Sequence, residues 1–216
     1  MPGYDAVLFD VDGTLIDSAP GIFHTLEQTF RVMGVDISGK NLNRYLGPPL
    51  RRTFSEYFSS EEQIERATAL YRQLYAQAGS RECALYPGVA EMLARLQAAG
   101  VRLYTATSKP VGVVTPMLDR LQIAGRFTYI GGASFDRTRD TKTAVMQDVL
   151  ARPELQGARV LMAGDRRDDL EGAADCGIPA AGVLYGYGSR EELEPFAPAV
   201  LVQSCEELTD YILNER

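Results

Sequence analysis

Histidine is nearly absent from this 216-residue chain; His24 is the only one. A nucleophilic triad built on imidazole, or a zinc site built on several histidines, has little to work with here. Cysteine is also sparse. Cys83, Cys176 and Cys205 form neither a Cys-x-x-Cys pair nor a disulfide-dense framework. An odd, scattered set of three suits a reducing compartment, so the chain is expected to be cytoplasmic. No apolar run approaches the roughly 20 residues that span a bilayer. The N-terminal stretch lacks the basic segment and long apolar run of a secretory signal, so neither membrane insertion nor export is expected. Positive charge is in deficit, with 22 Lys and Arg against 29 Asp and Glu, for a net charge of −7. That balance argues against nucleic acid or an anionic membrane surface as partner, while leaving room for a local basic pocket that takes a small anion.

What is present is ordinary for a globular protein, 45% hydrophobic and 24% charged. The length accommodates one α/β domain, or one domain with a small insert. Val7-Leu8-Phe9 is a short apolar run of the kind buried on both faces of a parallel sheet. It ends in Asp10-Val11-Asp12-Gly13-Thr14. Strand geometry sends Asp10 and Asp12 to the same side, where two like charges repel unless a cation or a shared proton separates them. Gly13 permits a backbone conformation that a Cβ would forbid. The stretch reads as half of a divalent-metal site at a strand end; the alternative is an Asp-rich turn with local causes only.

Residues 18–33 read as a helix capped by Ser18, with Ile22, Phe23, Leu26, Phe30 and Met33 at helical spacing. Residues 38–78 continue in helical style, broken at Gly47-Pro48-Pro49, with helices expected from Leu50 to Phe58 and after Ser60. The aromatic stripe there reads as core. Beyond Tyr86-Pro87-Gly88 the texture changes to helix alternating with short strand. Strands are expected at 101–106, 127–130, 159–163, 180–184 and 199–202. Helices are expected at 89–99, 109–121, 141–150, 168–176, 190–197 and 204–213. This alternation predicts an α/β fold, a doubly wound parallel sheet with right-handed crossovers. The block after the first strand is too helical and too long for a crossover. It reads as an inserted all-helical cap domain, residues 17–83, on a core made of 1–16 and 84–216, with hinges expected near 16–20 and 80–88.

Four strand ends carry polar residues suited to one site. The first is the Asp10–Thr14 turn. Thr107-Ser108-Lys109 follows the strand at 101–106, where hydroxyls and a helix N-terminus suit an oxyanion, although taken alone such residues are more often just a helix cap. Lys142 opens a helix, where a cation opposes the backbone dipole and needs some other reason to be there. Gly164-Asp165-Arg166-Arg167-Asp168-Asp169 is a second acidic turn, the complement that a magnesium site begun at Asp10 and Asp12 requires.

Together these stretches resemble the haloacid dehalogenase superfamily, in its phosphoglycolate-phosphatase-like branch with a helical cap. Asp10-x-Asp12-Gly13-Thr14, Thr107, Lys142 and Gly164-Asp165-x-x-x-Asp169 match its four motifs in order, and Tyr185–Leu193 resembles the tail of that branch. The resemblance implies Asp10 as nucleophile and Asp12 as general acid and base. It implies Mg2+ held by Asp10, Asp165 and the Asp12 carbonyl, with Asp169 in support. Gly13, Thr107, Ser108 and Lys142 would bind the phosphoryl group. Lys142 is preferred over Lys109, which precedes Pro110 in the expected capping turn. Gly47–Arg52 resembles the cap loop facing the site, where Arg51 would meet a second anionic group or else be a solvated helix-face arginine. Dehalogenases of the superfamily lack an aspartate two residues after the nucleophile, so Asp12 favours phosphoryl chemistry. Arg166-Arg167 departs from the small polar residues usual in phosphoglycolate phosphatases and leaves the substrate open. The expectation is a monomeric or homodimeric phosphomonoesterase acting on a small phosphorylated metabolite, phosphoglycolate first. The alternatives are a phosphosugar mutase resembling β-phosphoglucomutase, a 5'-nucleotidase, or a non-catalytic binding module.

Overall fold

The computed structural model describes residues 3–136 and 138–214. In chain order, β1 (Ala6–Phe9) and β2 (Ile16–Asp17) precede α1 (Ala19–Val32), α2 (Leu50–Ser55), α3 (Glu61–Gln77) and β3 (Ala84–Leu85). Then come α4 (Val89–Ala98), β4 (Arg102–Pro110), α5 (Val111–Arg120), β5 (Tyr129–Ala133) and α6 (Lys142–Leu150). The chain closes with β6 (Val160–Gly164), α7 (Arg167–Asp175), β7 (Ala180–Val183), α8 (Arg190–Leu193), β8 (Val200–Val202) and α9 (Cys205–Asn214).

All four residues of β1 are fully buried, which is why the strand carries no polar alternation. It lies inside a six-stranded sheet of order β5-β4-β1-β6-β7-β8, with every pairing parallel. Phe9 is in register with Thr105 on one side and Ala163 on the other. From β1 the chain winds outward through β4 to β5, then returns to the other side of β1 for β6, β7 and β8. The reversal leaves a crevice beyond the carboxyl ends of β4, β1 and β6, the place where open α/β sheets bind ligands. Leu8, Tyr104, Met146, Val149, Met162 and Leu170 belong to the apolar core that fixes these strands.

Two compact units emerge, Met1–Ile16 with Leu85–Arg216, and Asp17–Ala84. The second is helical, with α1 and α2 both packed on α3. Its interior is the aromatic stripe: the ring centroid of Phe30 lies 4.6 Å from Tyr57 and 5.5 Å from Phe54, and Tyr71 stacks on Tyr75 at 5.7 Å. Among the described residues, no helix is long and apolar enough to cross a membrane.

Some local expectations are corrected. Ser18 makes no side-chain cap bond; the Asp17 carboxylate accepts from the Ala19 N–H at 3.1 Å instead. The strand expected to end at 106 runs on as β4 through Thr107-Ser108-Lys109 to Pro110, so those residues do not cap α5. Gly131-Gly132 lie inside β5 rather than after it. The short pair β2–β3 has too few residues to leave a pattern in sequence. The helix expected at 190–197 divides into α8 and a 3-10 turn at Glu194–Phe196, because Pro195 brings no amide to continue the ladder.

Candidate active site

Asp10 is the first residue beyond β1, and its N–H still donates to the Ala163 carbonyl of β6 at 2.9 Å. That bond fixes the Asp10 backbone over the centre of the sheet, and the side chain is buried. Val11 then folds the chain back: its carbonyl accepts from the N–H groups of Leu15 and Ile16, each at 2.9 Å. Gly13 takes φ +89°, and a Cβ built there would lie 2.2 Å from Asp165 Oδ2. Any other residue would collide with a carboxylate of the site, so the glycine is required by conformation and by space.

Asp165 follows β6 and is completely buried. Its Oδ1 accepts from Thr14 Oγ1 at 3.2 Å and its Oδ2 from the Tyr187 N–H at 2.8 Å. Asp169 is one turn further on, at the start of α7. Its Oδ2 accepts from the Arg166 N–H at 3.0 Å, part of a reciprocal cap on that helix.

Lys142 joins these turns. Its Nζ lies 2.9 Å from Asp10 Oδ1 and 2.7 Å from Asp169 Oδ1, and donates to the Ala106 carbonyl at 3.0 Å. Burial weakens its hold on the proton, but the Asp10 and Asp169 carboxylates outweigh it and hold the ammonium charged. This is the compensation its unfavourable place at a helix N-terminus demands.

One ligand oxygen from each of Asp10, Asp165 and Asp169 lies within 4.8 Å of the others. Three carboxylates cluster here, and the buried ammonium faces only two of them, Asp10 and Asp169. Burial first, then Asp10 and Asp169, push the Asp165 carboxyl well above its ordinary range. Burial pushes Asp169 up to about 7 despite Lys142 beside it. Asp10 Oδ1 and Asp169 Oδ1 are buried and, although close to the ammonium, make no well-formed hydrogen bond. Surplus negative charge and under-used oxygens are what a divalent cation with oxygen ligands would resolve, so the donor set fits magnesium.

Asp12 stands apart from this cluster. Its Oδ2 lies 3.2 Å from Lys109 Nζ, and both side chains are slightly exposed. Lys109 lies in the part of β4 that continues past Thr107. Thr107 is buried and its Oγ1 accepts from the Lys109 N–H at 3.2 Å, whereas Ser108 is exposed. Arg51 lies in the helical unit, where its guanidinium is bound by Glu61 and Glu65. Arg166 Nε donates to Glu192 Oε1 at 2.8 Å, so one residue of the unusual arginine pair ties α7 to α8. Thr14 belongs to the expected turn without an expected role, and Tyr185 and Tyr187 are not among the residues expected to build the site. Thr14 had a signal in its motif, but the part Tyr187 plays is made by a backbone N–H and leaves none.

A family model described as haloacid dehalogenase-like hydrolase matches residues 7–183. The 5'-nucleotidase of Pseudomonas aeruginosa is 33% identical over 197 residues, 90% of this chain and 89% of that protein. The phosphoglycolate phosphatase of Escherichia coli O157:H7 is 28% identical over 226 residues, 94% of this chain and 90% of that protein. The tyrosine-protein kinase PtkA of Mycobacterium tuberculosis is 34% identical over 200 residues, 92% of this chain and 68% of that protein. The solved structure of PtkA matches at a TM-score of 0.83 and 33% identity, covering 97% of this chain and 98% of that one.

Proposed function

This chain belongs to the haloacid dehalogenase-like hydrolases and is a phosphatase, and we propose that it is a magnesium-dependent phosphomonoesterase working through an aspartyl-phosphate on Asp10. The observation that carries this reading is the unequal setting of two aspartates on one turn. Asp10 is buried beside Lys142 within the acidic cluster; Asp12 is outside it, paired with Lys109. Two carboxylates in different environments can take different proton-transfer tasks.

Asp10 attacks phosphorus as the ester P–O bond breaks, and Asp12 delivers a proton to the departing oxygen. Asp12, now a base, takes a proton from water, which attacks phosphorus, frees phosphate and restores Asp10. Lys142, Thr107, Ser108 and the backbone at Gly13 hold the phosphoryl oxygens as charge spreads over them. Asp10, Asp165 and the Asp12 carbonyl, supported by Asp169, would hold magnesium, which supplies positive charge beside those oxygens.

The substrate is a small phosphorylated metabolite. Phosphoglycolate is the first to test and a nucleoside monophosphate the second, a choice supported by the names of the relatives. Arg51 is proposed for a second anionic group, a role in which it exchanges Glu61 and Glu65 for substrate. The odd, scattered set of three cysteines supports a cytoplasmic setting. No nucleic-acid or membrane partner is proposed, and the working form is a monomer or homodimer.

Wild-type protein with magnesium should release phosphate from an aryl phosphate ester, and Asp10→Asn should reduce turnover to background. An inert wild type, or an Asp10→Asn variant of undiminished activity, overturns the reading. Isomerisation of a hexose phosphate with little phosphate release would identify a mutase.

A further inference from the structure

The acidic turns are braced by a loop that contributes no acid. Between β7 and α8, the Tyr185 hydroxyl donates to the Thr14 carbonyl at 3.1 Å. Thr14 Oγ1 donates to Asp165, and the other oxygen of that carboxylate accepts from the Tyr187 N–H. The three bonds close a ring, from loop to Asp10–Thr14 turn, to Asp165, and back to the loop two residues on. Each member is fixed by the other two.

The loop's small residues make this approach possible. A Cβ at Gly186 would lie 2.1 Å from the Gly13 carbonyl oxygen and 2.6 Å from Asp165 Cβ, and one at Gly188 would lie 1.8 Å from the Asp165 carbonyl oxygen. Real Cβ atoms do not come so close, so the loop is pressed against the backbone of both acidic turns. The Tyr185 ring is held in turn by Tyr86, whose ring meets it edge-on at 5.3 Å and whose N–H donates to the Leu15 carbonyl at 3.1 Å. On the far side, Glu192 accepts from Arg166 Nε at 2.8 Å and from the Arg167 N–H at 3.1 Å.

The geometry points to Tyr185 as a positioning residue for the metal-binding aspartates: through the Thr14 carbonyl it holds the Asp12–Thr14 backbone and the Asp165 carboxylate in mutual register. This rests on the phosphatase reading above and adds a residue to it. Tyr185 reaches the aspartates through Thr14, while its hydroxyl also meets the Cys205 side chain. Its effect therefore belongs to metal affinity and kcat, not to substrate capture.

Tyr185→Phe removes the one hydroxyl and keeps the ring packed on Tyr86. Magnesium binding to metal-free protein is measured by calorimetry, and aryl phosphate kinetics are run well below each protein's melting temperature. Loss of one neutral hydrogen bond predicts a magnesium Kd raised by about three- to tenfold. Turnover should fall by a similar factor, with KM nearly unchanged and melting temperature lowered by no more than a few degrees. Wild-type kcat and magnesium affinity in Tyr185→Phe overturn the inference, as does a lowered melting temperature without either change. A raised KM at constant kcat also overturns it, since Tyr185 would then be touching substrate. A wild type that neither binds magnesium nor cleaves the ester fails at the phosphatase reading itself, a distinguishable result.

Discussion

Lys142 is the residue on which the site's charge turns. It is buried, it faces two carboxylates, and it donates a hydrogen bond to the Ala106 carbonyl. Removing one partner of a buried ion pair leaves the other charged and unsolvated, which costs more than the pair itself contributes. Lys142→Ala is expected to lower unfolding free energy by about 3–5 kcal/mol, read from the urea midpoint, and to suppress phosphate release. Lys142→Arg restores charge but not shape, and should recover stability more than activity, because a planar fork cannot replace a compact ammonium between Asp10 and Asp169. At this scale the sequence was legible wherever a side chain stood directly beyond an apolar strand. Asp10 and Asp165 could be grouped on that ground, and Lys142 was marked instead by its unfavourable place at a helix start. The Tyr187 N–H and the Thr14 carbonyl could not, because backbone groups have no identity in a sequence. The Lys109–Asp12 contact was hidden for another reason: Lys-Pro before a helical pattern reads as a helix start, and the chain instead stays extended to Pro110.

Among the elements, the helical unit carries its own core and should respond on its own. Phe30 is fully buried against Phe54, Tyr57 and Phe58. Truncating such a ring removes burial and leaves a cavity worth about 3–5 kcal/mol. Phe30→Ala is expected to lose hydrogen-exchange protection through α1, α2 and α3, while β1, β4 and β6 keep theirs. Equal loss in the central strands would show that the two units unfold as one. The parallel sheet was readable because its inner strands are buried on both faces and so appear as unbroken apolar runs, as Val7-Leu8-Phe9 and Val160-Leu161-Met162-Ala163 do. Ends were harder. β4 and β5 both continue past their apolar runs: Thr107 pairs with Gly132, the register shifts over Ser108-Lys109, and Pro110 pairs with Ala133, with few hydrophobic residues to announce any of it.

For the molecule as a whole, the clustered carboxylates predict that stability depends on metal. A ligand that binds only the folded state stabilises it by about 2.7 kcal/mol at one hundred times its Kd. Saturating magnesium should therefore raise the melting temperature, EDTA should reverse the rise, and Asp165→Asn should abolish the response. A melting temperature indifferent to magnesium would argue against the proposed cofactor. The strand order also bears on how quickly such a molecule assembles. β1 and β4 are neighbours in the sheet, yet the whole of Asp17–Ala84 lies between them in the chain. Thr14 meets Asp165 across a separation of 151 residues. Long closures are slow because chain entropy is lost before contacts repay it. The pairing of β2 with β3 shortens that search, since once the helical segment has folded and its ends have met, β1 and β4 are joined by what is effectively an ordinary crossover through α4. On refolding, helical signal should return first and the ability to release phosphate last, in the phase that brings β6 to the edge of β1.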